Sequence, residues 1–240
     1  MPKSVYQEIY SDLKQQIEAG DIAYRAFLPS ESELTETYDC SRSSVRRALA
    51  QLATDGYVQS QQGKGVRVIR DPTLDLGRHY DGLETFYEMA ARVGFVPTTR
   101  CLTVDTRVAD EPLAHLTGFP AGSELTHVLR IRYADGKAVS TDESYYPPNI
   151  AEGLTPKIVE QGIYQYLEGA RGLKIATSRR IVTVEAVTEQ DQRCIDLDGF
   201  NALLVMRSHT FDAEGDMIEY TETRQRPEFF SQYGTAMRTR

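Results

Sequence analysis

Residues 28–68 read LPSESELTETYDCSRSSVRRALAQLATDGYVQSQQGKGVRV, and this stretch decides the architecture of the front of the chain. Pro29 and Ser30 open a helix. Ser30 stands as N-cap, Glu33 completes a capping box, and Leu34 and Tyr38 point inward. After Tyr38-Asp39-Cys40, Ser41 caps a second helix that runs to about Thr54. Its Val45, Ala48, Leu49 and Leu52 recur at i, i+3, i+4 and i+7, which is one buried stripe, and Gly56 ends it. Tyr57 to Gln61 and Val66 to Arg70 are strand-like, joined by Gln62-Gly63-Lys64-Gly65, a glycine-flanked hairpin tip. Upstream, Tyr6, Ile9, Leu13 and Ile17 mark an earlier helix that stops before Gly20. Three helices and a glycine hairpin make a winged helix-turn-helix.

With the apolar stripe buried, Arg47 and Ser43 point away from the core, Arg46 lies on the flank and Arg42 sits at the amino end. An arginine fork takes the O6 and N7 of guanine together. Ser41, Ser43 and Ser44 can donate to phosphate beside the free amides of the helix start. Lys64 adds a cation at the hairpin tip. The alternative is a helical hairpin with a solvated charged face.

The placement of these residues and the Gly63-Lys64-Gly65 wing favour the first reading over the second. The chain carries Lys+Arg 27 against Asp+Glu 35, a net charge of -8. Residues 1–70 are neutral, however, so the whole excess lies in 71–240. Within 40–70, Arg42, Arg46, Arg47, Lys64, Arg67 and Arg70 face the single acid Asp55. That is a candidate electrostatic footprint for nucleic acid, though basic helices are commonly solvated faces. At 240 residues, two domains are the better expectation: 1–70 for the winged module, a polar linker over 71–79, and 80–240 for the rest. No apolar run approaches the roughly 20 residues of a membrane span. Cys40, Cys101 and Cys194 are odd in number and far apart, as suits free thiols in a reducing compartment. A cytoplasmic protein without a membrane partner is expected.

LPSE-x-EL, SR-x-x-VR-x-AL and the glycine wing together resemble the DNA-binding domain of the GntR family of bacterial regulators, over nearly all of residues 5–70. The resemblance implies that Ser41, Arg42, Ser43 and Arg46 contact operator bases and phosphates, and that Gln62 and Gly63 reach into the minor groove. Ser32 stands where many relatives carry an arginine that reads a base. Two-fold dimers on a pseudo-palindromic operator follow from the few contacts one winged module can make.

Behind residue 80 the pattern changes. Leu83 to Val93, Asp110 to Leu116, Ile163 to Glu168 and Glu189 to Leu197 read as helices. Cys101 to Val108, Leu125 to Tyr133, Val139 to Tyr146, Ile181 to Val187, Leu203 to Phe211 and Met217 to Arg224 read as strands. Strands mostly follow one another directly, so an antiparallel α+β domain is expected, not a parallel sheet. No GxGxxG, P-loop, GxSxG or HExxH occurs, and the four histidines lack metal-ligand spacing, so neither enzyme, metal nor cofactor is expected. Arg130 and Arg132 share one face of a strand because strand side chains alternate. Side by side and partly desolvated, they need an anion. Either a phosphate or carboxylate ligand supplies it, or acids on neighbouring strands do, for example Asp142.

DGLETF, the L-x-R-x-R strand, DGKAVSTDESYYP, GIYQYLE and IEYTETRQR are similar to the ligand-binding domain of the HutC subfamily, whose fold is chorismate-lyase-like. IYQYLEGARGLKI and EYTETRQR point, within it, to repressors of trehalose uptake and utilisation that respond to trehalose 6-phosphate. The resemblance implies a phosphate near Arg130, Arg132 and Tyr164, with Thr85 a weak addition. It implies sugar hydroxyls facing Asp142, Glu222 and Arg224. Gly162 stands where many sugar-phosphate-binding relatives have serine, which removes one hydrogen bond or leaves it to a backbone amide. Other effectors, an amino-sugar phosphate or an organic acid, stay open. So does a lyase or hydrolase using Glu222 or Asp142 as general base behind an appended DNA-binding module.

Overall fold

The computed structural model describes residues 4–71 and 82–229. The expected linker, apart from Asp71, lies outside the described residues. The chain divides into two compact units, one holding 4–71 and the other 82–229.

In the first unit, α1 (Val5–Ala19) buries Ile9, Leu13 and Ile17 and ends at Gly20, whose φ of 83° needs no side chain. The helix α2 (Glu31–Thr37) starts with the expected box: Ser30 Oγ accepts from the Glu33 amide, and the Glu33 carboxylate accepts from the Ser30 amide. The next helix, α3 (Arg42–Thr54), is capped by Ser41 and buries Val45, Ala48, Leu49 and Leu52. The wing pairs β1 (Val58–Gln61) antiparallel with β2 (Gly65–Val68). A third, strand-like segment joins the wing without any periodicity in the sequence to announce it. Leu28 N–H donates to the Val66 carbonyl, Arg25 N–H to Val68 O, and Val68 N–H to Ala26 O, so residues 25–28 line the outer edge of β2. Such a segment lacks alternation and shows itself only once paired.

The second unit opens with α4 (Phe86–Val93), which starts later than the apolar pattern implies because Thr85 caps it by accepting from the Glu88 amide. A six-stranded antiparallel sheet follows. Its strands are β3 (Pro97–Val108), β4 (Glu124–Ala134), β5 (Lys137–Tyr146), β6 (Ile175–Ala186), β7 (Ala202–Asp212) and β8 (Met217–Gln225), in the order β3-β4-β5-β8-β7-β6. Between them run α5 (Glu111–Thr117), α6 (Pro148–Ala151), α7 (Pro156–Gln161), α8 (Ile163–Gly169) and α9 (Glu189–Cys194), with a final 3-10 turn at Pro227–Phe229. Neither α6 nor α7 was expected; both are short and start on proline, which is pre-set for the first helical position. Strand β6 begins six residues before the expected Ile181, because at the sheet edge its first half is polar on both faces and shows no alternation.

The two sheet faces differ. On one, Val128 and Tyr146 pack beneath Ala151, Val159, Ile163 and Leu167 of α6, α7 and α8. On the other, Leu125, Tyr145 and Tyr220 pack with Phe119 and the α5 residue Leu113. Among the described residues, no helix is long and apolar enough to cross a membrane.

Candidate functional sites

At the start of α3, Ser41 Oγ accepts from the Ser44 amide and lies 2.8 Å from Ser43 Oγ and 3.0 Å from Ser44 Oγ. Arg42 is exposed and has no acid partner among the described residues. Arg46 Nε donates to Glu31 at 2.9 Å in an exposed pair, weak enough to exchange for a phosphate. Arg47 does not project freely: its guanidinium lies 3.9 Å over the Tyr6 ring of α1. Gln62, Gly63 and Lys64 are exposed at the tip of the wing, where Gly63 has φ 74°.

In the second unit the register fixes a second site. Arg130 pairs with Asp142 across β4 and β5, and Asp142 with Thr223 across β5 and β8. Directly paired residues share a face, so Thr99, Arg132, Arg130, Asp142, Ser144, Thr223, Thr221, Glu219, Ser208 and Thr210 form one polar floor. Arg130 Nε and Arg132 Nε donate to the same Asp142 oxygen, at 3.0 and 2.9 Å. Thr223 donates to the other oxygen at 2.8 Å, and Arg132 Nη1 donates to Thr99 Oγ1. All three charged groups are buried, at 6, 7 and 6% exposure. Burial opposes ionisation of Asp142, but Arg132 and Arg130 outweigh it and hold the carboxyl down at about 2. Arg132 is pulled the other way: burial and the neighbouring Arg130 charge lower its pKa.

One carboxylate thus serves two guanidiniums. Among the described residues, Arg130 Nη1 and Nη2 and Arg132 Nη2 make no hydrogen bond. They are not sealed either, because the fully buried side-chain atoms without a partner are Ser178 Oγ and Tyr220 OH. The face of the Phe86 ring lies 5.2 Å from the Arg132 guanidinium and so supports it from α4. Further along the floor, Tyr164 of α8 and Tyr146 both donate to the buried Glu219, and the Tyr164 hydroxyl lies 3.2 Å from Thr210 Oγ1. Burial and the Glu219 charge push both tyrosines well above the ordinary phenol range, so they remain donors. The floor therefore has a cationic end and a hydroxyl-rich end.

The structure brings together Arg130, Arg132, Asp142 and Tyr164 but not Glu222 and Arg224. Those two pair with Glu143 and Thr141, on the opposite sheet face. Glu222 takes Arg207 at 2.7 Å, while Arg224 is bound to Asp191, Glu185 and the Ala186 carbonyl. Alternation is the reason they lie apart from the arginines: even-numbered residues of β8 cannot join a floor built from its odd-numbered ones. Glu219, Thr221 and Thr223 occupy the floor instead, in the same EYTETRQR stretch but one position out of phase. Thr85 serves as the cap of α4 beside Phe86, and the Gly162 amide is taken by the Ile158 carbonyl.

Residues 5–68 match the gntR family of bacterial regulatory proteins, and residues 92–231 match the UTRA domain. The HTH-type transcriptional regulator TreR of Bacillus subtilis is 33% identical over 222 residues, 92% of each chain. The repressor NagR of the same organism is 25% identical, over 92% of this chain and 90% of its own. Among solved structures, the B. subtilis regulator YydK superposes over 98% of this chain and 100% of its own with a TM-score of 0.71 at 22% identity, which shows a shared fold. The effector binding domain of the B. subtilis trehalose repressor TreR is similar over 60% of this chain and 99% of its own, with TM-score 0.52 and 27% identity.

Proposed function

Since the chain belongs to the gntR family of bacterial regulatory proteins and carries a UTRA domain of the HutC-type architecture, we propose that this transcriptional regulator is a repressor released from its operator by an anionic sugar, trehalose 6-phosphate first among them. One observation carries the effector half: two buried arginines share a single carboxylate and keep three Nη donors open. An incoming phosphate meets those donors as a fork and offsets the repulsion that disfavours the Arg132 charge. A sugar attached to it extends toward Tyr164, Glu219 and Thr210, whose hydroxyls and carboxylate match polyol hydrogen bonding. The likeness to TreR supports trehalose as that sugar.

For the DNA half, Ser41, Arg42, Ser43 and Ser44 meet the operator in the major groove, Arg46 after releasing Glu31, and Gln62, Gly63 and Lys64 at the adjacent groove; Arg47 supports the helix from Tyr6. Two copies of the chain bind a pseudo-palindromic operator, and residues 80–240 hold them together. The test is calorimetry on the full chain with trehalose 6-phosphate, trehalose and inorganic phosphate, followed by gel retardation of promoter DNA. Trehalose 6-phosphate should bind tightest and release the DNA. Arg130→Ala should retain DNA binding yet ignore the sugar. Release by a different sugar phosphate alone would reassign the effector, and release by none would overturn the reading.

A further inference from the structure

The wing carries a feature that neither the recognition helix nor the hairpin tip accounts for. Arg25 has φ 69°, in the left-handed region that long side chains avoid. The other non-glycine residues with positive φ among those described are aspartates, which tolerate it. Strain of this kind persists where the surroundings impose it, and it gathers at binding sites. The surroundings here are specific. Arg67 Nε donates to the Arg25 carbonyl at 2.9 Å, and the Arg25 amide donates to Val68 O at 3.0 Å, so the strained residue is pinned to β2 from both sides.

The side chains gather on aromatic rings. The Arg25 guanidinium lies 5.1 Å over Tyr24, and that of Arg67 lies 5.8 Å over Phe27. Both rings are exposed for their size, Tyr24 at 40% and Phe27 at 45%. Phe27 sits against Gly65 at the mouth of the wing, where any larger residue would meet it. Many arginines of the chain sit in an ion pair, whereas Arg25, Lys64 and Arg67 have no acid partner among the described residues. Cations propped on rings beside a wing, without an acid, match a polyanion's backbone.

We propose that Arg25 and Arg67, held over Tyr24 and Phe27, form a phosphate-gripping shoulder on the outer side of the wing, which anchors the DNA backbone beside the groove that the hairpin tip enters. The shoulder rests on the reading of the first unit as a DNA-binding module and adds contacts that carry no base information. Its occupant is double-stranded DNA rather than a protein, because it continues from Lys64 at the tip and its charge is uncompensated.

Backbone grip is independent of sequence, so the probe is a mixed-sequence DNA duplex, titrated by fluorescence anisotropy against the full chain at several salt concentrations. Each phosphate contact contributes roughly 0.9 to the salt slope. Arg25→Gly and Arg67→Gln should each weaken binding by roughly three- to tenfold and flatten the slope by about one, with Arg67→Lys restoring it. Arg25→Gly should also melt no lower than the parent, since glycine adopts the strained φ freely, and so reports on charge even if Arg67→Gln is unstable. Unchanged affinity and slope in Arg25→Gly and Arg67→Gln, while Arg42→Ala binds more weakly, would remove the shoulder and leave the module. If the parent chain itself shows no salt-dependent binding to the duplex, the DNA-binding reading fails with it. A change in oligomeric state in Arg25→Gly with unaltered DNA binding would assign the patch to a protein contact and overturn the proposal.

Discussion

Asp142 holds two guanidiniums and one threonine hydroxyl in a place that water barely reaches. Removing a partner from such a buried set leaves uncompensated charge, which costs about 3–5 kcal/mol. Asp142→Asn should therefore lower unfolding free energy by about that amount in a urea titration, far more than Lys137→Gln, whose pair with Asp198 is exposed. The pH dependence follows from the same residue. Its folded pKa, about 2, lies below the ordinary aspartate value of about 3.9. The stabilisation is thus complete above about pH 4 and lost as pH falls through about 2. Asp142→Asn should flatten the acid limb of the stability profile; an unaltered limb would place the carboxylate's role elsewhere. Both arginines were legible as a pair needing an anion. That a single acid serves them was not, because sequence spacing says nothing of how many carboxylates the next strands aim at one point.

Strand β8 shows the same limit at the scale of an element. The alternating run from Glu219 to Arg224 was readable as a strand, and its polar residues as functional. Which set faces the arginines depends on pairing with β5, and a shift of one residue exchanges the faces. Pairing of Asp142 with Thr223 settles it. Thr223→Val should consequently weaken trehalose 6-phosphate binding, because it frees Asp142 to compete for the arginine donors, whereas Glu222→Gln should leave calorimetric affinity within twofold. The reverse result would mean the sugar sits on the other face. By contrast α1, α2 and α3 were readable nearly to the residue. Their signals are local: the Ser30 and Ser41 caps, the Gly20 and Gly56 ends, and stripes at helical spacing.

At the scale of the whole molecule, the proposed release from the operator requires a coupling free energy between the two candidate sites. Couplings of about 1–3 kcal/mol change affinity roughly 5- to 150-fold, and the effect is reciprocal. If trehalose 6-phosphate weakens operator binding by a given factor, saturating operator DNA should weaken the sugar by the same factor in matched titrations. Unequal factors would show that the two assays report different species, and no change in either would remove the sugar as effector. The charge plan suits this division, since residues 1–70 are neutral with a cationic surface while 71–240 hold the entire net -8.

The amino-acid order by itself determined the winged helix-turn-helix, the antiparallel character of the second unit and the need of Arg130 and Arg132 for an anion. These depend on caps, glycines and side-chain periodicity, which act over a few residues. Only the tertiary structure decided that residues 25–28 join the wing, that Asp142 is shared, and that Glu219 and Thr223 rather than Glu222 and Arg224 share the floor with the arginines. Those outcomes turn on strand pairing between residues far apart in the chain, Asp142 and Thr223 being 81 positions apart, and the register of a pair is set by packing of the whole sheet rather than by either strand alone.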